Sequence, residues 1–506
     1  MTKKLFPNEE WTVDELDSAW NNISKIARND LGLDFYEPEI HLITYDQALG
    51  LYSSHFLPNL YPHWSFGKIY SVEKENYVNG RTSLPYEVII NTDPAIMYLM
   101  ENNTSTMQMI TMSHAGCGHS SFFKNNFLFK AHTDPKFILP YANYARNYIQ
   151  ECEHKYGVDR VAYILDACHS LQHHGVFKYK RKHYKKDELR KQLSARKKFM
   201  DENYNELEYM FESTPSKPGD YLIGNKNVDL SEYLESLEYE HLTRAQKYGL
   251  PQENLLYFIE KNSVVLSEWQ KEIVRIVRKI AQYFYPQYMT KLMNEGYASF
   301  VHYELMTLLY EKKLMSEGQY IEFLHSHCGV INQPDYSATI NPYKLGFEIF
   351  SNIKKVCLTP SKDDYYWFPD IAGTKDWKKA IDFAMKNFMD ESFILQYLSI
   401  DTVDKLQMFS FIDNTKKDHY VIRDTQNAEG FRSLRKTIAE HYNIAATFPS
   451  LEILDYEPYY HKIEIQVSKH KYKDIDDDSW TDTEKYLKNL LGCDMITYLI
   501  NINYDS

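Results

Sequence analysis

The chain has 506 residues, 43% of them hydrophobic and 25% charged, with a net charge of −13. That balance predicts a globular protein of two or three domains with a sizeable core, and the acidic charge argues against nucleic acid as a general partner. No uncharged apolar run reaches the ~18–20 residues of a membrane span, so no membrane span is expected.

In chain order, "TVDELDSAWNNISKIARND" (12–30) predicts an amphipathic helix, with Leu16, Trp20, Ile23 and Ile26 at helical spacing. "YEVIIN" (86–91) reads as a strand, and Asp93-Pro94 as the start of a helix over "DPAIMYLME". Residues 136–174 predict two helices broken near Gly157. Residues 178–200 are strongly basic and an acidic, tyrosine-rich stretch follows to about 245. The charges compensate, so 178–245 reads as a polar insertion or linker, with a docking segment as the alternative. A helix follows over 266–284, striped by Leu266, Trp269, Ile273, Val277, Ile280 and Phe284 and ended by Pro286. Further helices are predicted at 291–310, 317–326, 344–357 and 376–389.

After about residue 400 short strand-like runs alternate with helical stretches at 430–442 and 481–491, in the order β-β-α-β-β-α-β. The expected fold class is a mainly α-helical N-terminal body with a few short strands (residues 1–400), followed by a small α+β C-terminal domain (401–506). The N-terminus, "MTKKLFPNEEWTVDELDSAW", has no apolar signal-peptide core, and the six cysteines form no CxxC pair. Both features predict a cytoplasmic protein with reduced thiols.

The residues that can carry chemistry are mostly histidines. In "MSHAGCGHSSFFKNN" (112–126), His114 and His119 are five apart. In a regular α-helix that spacing turns through about 500°, so the two rings would point some 140° apart and could not share an ion. A π-bulge would restore the alignment, and Gly116 and Gly118 make a distortion cheap. The alternative is two unrelated polar histidines. Glu295 and His302 are seven apart on a predicted helix, two turns, so both face one way and can share a metal ion, a proton or a plain buried ion pair. Asp166 and His169 form a carboxylate-x-x-His pair, a known ligand spacing in helical bundles but a weak signal alone. Glu151 and Glu153 carry the same caveat. His63 in "YPHWSFGK" reads as a packed loop residue, and His325 and His327, two apart, suit an extended segment. No H-E-x-x-H, G-x-G-x-x-G, P-loop or G-x-S-x-G motif is present.

Ten blocks in order, among them "YPHWSFGK", "HAGCGHSSFFKNN", "LDACHSLQHHGV", "MNEGYASFVHY", "FLHSHCGV" and "INPYKLGF", run from about residue 60 to 400. Through them the chain resembles the SpoVR family of stage V sporulation protein R relatives, in its YcgB-like branch. The resemblance implies a cytoplasmic bacterial protein of spore cortex formation or of the starvation and stationary-phase stress response. It also implies partners of two kinds, a PrkA-type serine kinase and a von Willebrand A-like protein. The family usually has Trp where Tyr297 stands. An amidohydrolase-like activity is one implied role, and a non-enzymatic regulatory or scaffold role is the alternative.

"MNEGYA" is also similar to the N-E-G-x-A stretch of gluzincin aminopeptidases, whose Glu is a zinc ligand. That resemblance puts His114, His119 and Glu295 on the metal, zinc in such enzymes, while the general-base Glu is replaced by Ala115. The expected site is therefore a divalent ion, Zn²⁺ before a di-iron pair, held by His114, His119, Glu295 and His302. His302 or Asp166, with Glu153 as a further candidate, would supply the acid–base function.

Overall fold

Thr12 opens the first helix, Val13–Ile26, with a capping box: its hydroxyl accepts from the Glu15 N–H, and the Glu15 carboxylate accepts from the Thr12 N–H. Leu16, Trp20 and Ile23 are buried along one stripe of it, as the spacing predicts. The computed structural model describes residues 4–7, 10–54, 57–79, 87–177, 244–245, 247–333, 340–408, 411–412, 421–422, 428–442, 450–469 and 477–501. The charged stretch predicted as an insertion or linker lies outside these apart from its last residues. The architecture is a mainly helical body with short strands, followed by a small α+β module.

Three strands, β1 (Pro38–Ile43), β2 (Glu87–Ile90) and β3 (Ala95–Met100), form a mixed sheet with β3 in the middle, parallel to β1 and antiparallel to β2. This corrects the helix expected after Asp93-Pro94. Ala95, Met97 and Leu99 are fully buried while Ile96 and Tyr98 are half-buried, the period of two that a strand shows. Paired on both sides, β3 gains more from its ladders than a six-residue helix would from its own turns.

The two helices expected around Gly157 are Ile138–Tyr156 and Val158–Ser170, and Gly157 takes φ +93° at the break. The helix Glu268–Met289 runs through Pro286 instead of ending there. Pro286 sits in the last turn, where it removes one hydrogen bond, and Tyr283, Tyr285, Pro286 and Met289 are all buried, so packing outweighs the loss. The helices Lys291–Glu311, Glu317–Val330, Pro342–Leu358 and Trp377–Asn387 follow. His325 and His327 therefore lie on a helix, not in an extended segment. Two residues of helix turn them apart, and His325 is exposed while His327 is buried.

Two apolar clusters organise the body. One gathers Trp20, Met97, Met112, Phe122, Met293, Phe350 and Phe393 around the Lys291–Glu311 helix. The other joins Ile149, Ile164, Phe258 and Ile273 to Ile453, Ile463 and Ile465 of the C-terminal sheet. The C-terminal order is β4 (Phe411–Ile412), β5 (Val421–Ile422), helix Ala428–His441, β6 (Ser450–Glu457), β7 (Lys462–Lys469), helix Asp477–Leu491 and β8 (Asp494–Asn501). It is the β-β-α-β-β-α-β succession read from the sequence. β4 pairs with β5, while β6, β7 and β8 form one sheet, antiparallel then parallel.

Candidate metal centre

Residues 105–125 form one continuous helical run whose middle, Met112–His119, is a π-helix flanked by the α-helices Ser105–Thr111 and Ser120–Asn125. Hydrogen bonds from i to i+5 make residues five apart axial neighbours, as residues four apart are in an α-helix. His114 and His119 are thereby brought together, with ring centroids 4.6 Å apart. The glycines between them serve close packing. A Cβ on Gly116 would stand 2.6 Å from the Trp20 ring, and one on Gly118 would stand 2.7 Å from the Cα of Ala298. Gly118 thus lets the π-helix lie directly on the Lys291–Glu311 helix.

That second helix is fixed at two more points. At its N-terminus the buried Asp390 accepts from the Leu292 N–H (2.8 Å) and the Met293 N–H (2.9 Å), satisfying two donors that have no intrahelical partner. Burial outweighs those bonds and pushes the Asp390 carboxyl up to about 7. One turn further, Gly296 packs against Gly346, where a Cβ would meet the opposing Cα at 2.3 Å.

The result is a group of three potential ligands, two buried histidines and a half-buried carboxylate. His114 Nε2 and His119 Nε2 approach the same oxygen, Glu295 Oε2, at 3.7 Å and 3.4 Å. Among the described residues this is the one set of three His, Cys, Asp or Glu side chains whose ligand atoms all lie within 4.8 Å of one another. Burial alone would raise the Glu295 carboxyl, but His119 and His114 together outweigh it and hold the group far below the usual carboxylate range.

The far side of each imidazole is also engaged. His119 Nδ1 lies 2.9 Å from Asn294 Oδ1, and His114 Nδ1 lies 2.7 Å from His302 Nδ1. An amide oxygen only accepts, so His119 carries its proton on Nδ1 and turns the Nε2 lone pair toward Glu295. For His114 to do the same, His302 Nδ1 must accept and His302 Nε2 must donate, and 2.7 Å away His327 Nδ1 receives it. Burial, then the neighbouring histidines, drive His302 well below the ordinary histidine value, and burial with His114 and Lys344 brings His327 down to about 4. Both rings are therefore neutral near pH 7, as such a chain requires. Phe123 stacks over His119 at 5.9 Å.

His302 thus shares a helix face with Glu295 but meets the other nitrogen of His114, behind the three-ligand group. Asp166 is placed elsewhere, where its Oδ1 accepts from Trp64 Nε1 (2.7 Å) and meets His63 Nε2 (3.1 Å). His169 belongs to that same neighbourhood, 2.7 Å from the Tyr61 hydroxyl. Sequence reasoning missed Asn294 and Asp390, and singled out His327 only as a residue of an extended segment. Asn294 adjoins Glu295, and helical neighbours point about 100° apart, so spacing gives no sign that both serve one site.

The family model described as "SpoVR like protein" matches residues 10–447. The chain belongs to the SpoVR family. It is similar to YcgB of Escherichia coli (strain K12), at 41% identity over 457 residues, which cover 89% of this chain and 85% of that protein. No solved structure matches. In this SpoVR-family chain no helix of the described residues is long and apolar enough to cross a membrane.

Proposed function

We propose that this SpoVR-family chain is a metal-dependent hydrolase, with His114, His119 and Glu295 holding one divalent ion, Zn²⁺ in the first place. The observation that carries the proposal is the convergence of two imidazole Nε2 atoms on one Glu295 oxygen, with both Nδ1 atoms already engaged. Two imidazoles and one carboxylate match the three-ligand sets of catalytic zinc sites, which keep a position open. When bound, such an ion supplies Lewis acidity toward an amide or ester carbonyl and makes hydroxide available near neutral pH. Asn294 and His302 hold the rings in the ligating tautomer, and Phe123 stacks on His119. Asp166 and His169 hydrogen-bond to other groups, which favours a single ion over a di-iron pair. The substrate class we propose is an amide of cell-wall precursor type, in a cytoplasmic role in spore cortex formation or in the starvation response.

The test is turnover of acetylated and peptide-bearing muropeptides by zinc-loaded full-length protein. Amine or acetate release that disappears in Glu295→Gln supports the proposal. No release by wild-type protein with its metal in place contradicts it.

One observation favours a second reading. Ala115, buried beside His114, stands where a gluzincin places its general base. A chain built to hold a metal without that base would suit a regulatory or scaffold partner of a PrkA-type serine kinase and a von Willebrand A-like protein. Partner capture retained in Glu295→Gln, with no hydrolysis by the wild type, is the result that reading expects.

A further inference from the structure

Away from the metal ligands, three polar side chains stand in line. Ser65 Oγ lies 2.7 Å from His63 Nδ1, and His63 Nε2 lies 3.1 Å from Asp166 Oδ1. We propose that Ser65 and His63, positioned by Asp166, form a second catalytic site that transfers short acyl groups from esters to water.

The proton positions are determined by the contacts. The Ser65 backbone N–H also points at His63 Nδ1, at 3.3 Å. Two donors on Nδ1 make it an acceptor, so the ring proton sits on Nε2 and is donated to Asp166. Trp64 Nε1 donates to the same carboxylate oxygen at 2.7 Å and holds it in place. The ring nitrogens are exchanged relative to the familiar serine-protease arrangement, but the roles are the same: one nitrogen faces the hydroxyl and the other faces the carboxylate. The His63 side chain is 3% exposed, and its burial, only partly offset by Asp166, lowers its pKa, so it is a neutral base near pH 7.

Ser65 opens onto a cavity of about 140 Å³, whose walls include Leu60, Phe66, Ile280 and Phe284 with His169 and Gln172. An apolar cavity of roughly 150 Å³ takes a benzene-sized group, so the fitting acyl chain has about four to six carbons. In the step, the Ser65 Oγ–H proton passes to His63 Nδ1 as Oγ bonds to the acyl carbon and the carbonyl pair moves onto oxygen. Collapse restores the carbonyl and breaks the ester C–O bond, and the Nδ1 proton leaves with the alcohol. Water then repeats the sequence on the acyl-serine and releases the acid. Nothing is oxidised or reduced. Gln172 lines the same cavity and carries amide N–H donors.

A simpler role for His63, capping the first turn of the Trp64–Val78 helix, predicts no reaction at Ser65. The experiment treats full-length protein, in EDTA throughout, with a fluorophosphonate probe and separately with p-nitrophenyl butyrate. The proposal predicts a probe adduct located on Ser65 by tandem mass spectrometry. It also predicts ester turnover that Ser65→Ala abolishes and His63→Gln lowers by about 10²–10⁴-fold. Asp166→Asn should lower turnover and move the acidic limb of the pH profile to lower pH, because Asp166 raises the His63 pKa. Absence of an adduct on Ser65 in wild-type protein, or wild-type turnover by Ser65→Ala, overturns it. The chelator keeps this outcome separate from the fate of the metal proposal.

Discussion

His302 Nδ1 lies 2.7 Å from His114 Nδ1, while Glu295, two turns earlier on the same helix, faces Nε2 of the same ring. One helix face thus grips His114 from both sides. In the proposed metal site the carboxylate would be a ligand, and the histidine sets the tautomer. This makes His302 a positioning residue. Replacing such an outer partner typically costs 10–100-fold in metal affinity. We expect that loss for His302→Ala and for Asn294→Ala, measured by competition with a chromophoric zinc chelator, and a much larger loss for His119→Ala. Unchanged affinity in both outer variants would show that the tautomers are not held as described.

The glycine contacts predict a graded response to alanine. Gly118→Ala and Gly296→Ala press a methyl against Ala298 and against the Gly346 backbone. Overpacking of this kind costs about 1–3 kcal/mol, with Gly296→Ala the worse because its methyl would stand 2.3 Å from opposing backbone against 2.7 Å at Gly118. Gly329→Ala meets nothing within 4 Å and should be neutral or slightly stabilising. Urea melts of the three variants give the comparison.

Both the five-residue histidine spacing and the Glu295–His302 pair were legible in the sequence. Each depends only on residues within one helical run, and Gly116 and Gly118 marked where the run could widen. The outer contacts were not legible, because they depend on which helix lies against which. His327 reaches His302 from another helix, and Asp390 caps the Glu295 helix from about 100 residues away along the chain. The strand β3 was misread for a similar reason. Asp-Pro is a sound local helix start, but β1 and β2 offer ladders on both sides. The C-terminal succession of strands and helices was legible because its alternation and turn residues are local.

The buried titrating groups give opposite pH slopes. His302 and His327 have folded pKa values below the ordinary histidine value, so their contribution is present above about pH 6.5 and is lost as the pH falls, for His327 toward about 4. Asp390 is raised to about 7, so its contribution is present at acid pH and is lost as the pH rises from about 4 through 7. In metal-free protein between pH 4 and 7, Asp390→Asn should therefore steepen the rise of stability with pH, and His327→Asn should flatten it. Each change amounts to at most about 1.4 kcal/mol per pH unit. Parallel slopes in all three proteins would contradict the assignment.

Glu260 joins two helices through an ion network in which its own carboxylate is buried while Arg275 and Lys261 are partly exposed. Its carboxylate meets Arg275 Nε at 2.9 Å, Arg278 Nη2 at 2.8 Å and Lys261 Nζ at 2.8 Å. Removing one partner of a buried pair costs 3–5 kcal/mol, and the partial exposure of Arg275 places Glu260→Ala near the lower end, at about 3 kcal/mol. A urea melt that moves by less than about 1 kcal/mol would mean solvent already screens the network.

His114, His119 and Glu295 are proposed to hold a metal ion. The most direct measurement is the metal content of full-length protein purified without a histidine tag, alongside Glu295→Gln and His119→Ala. We predict close to one zinc ion per chain in the wild type and a collapse of that content in both variants. Wild-type protein without bound metal after zinc loading, or equal metal in the wild type and both variants, would contradict it.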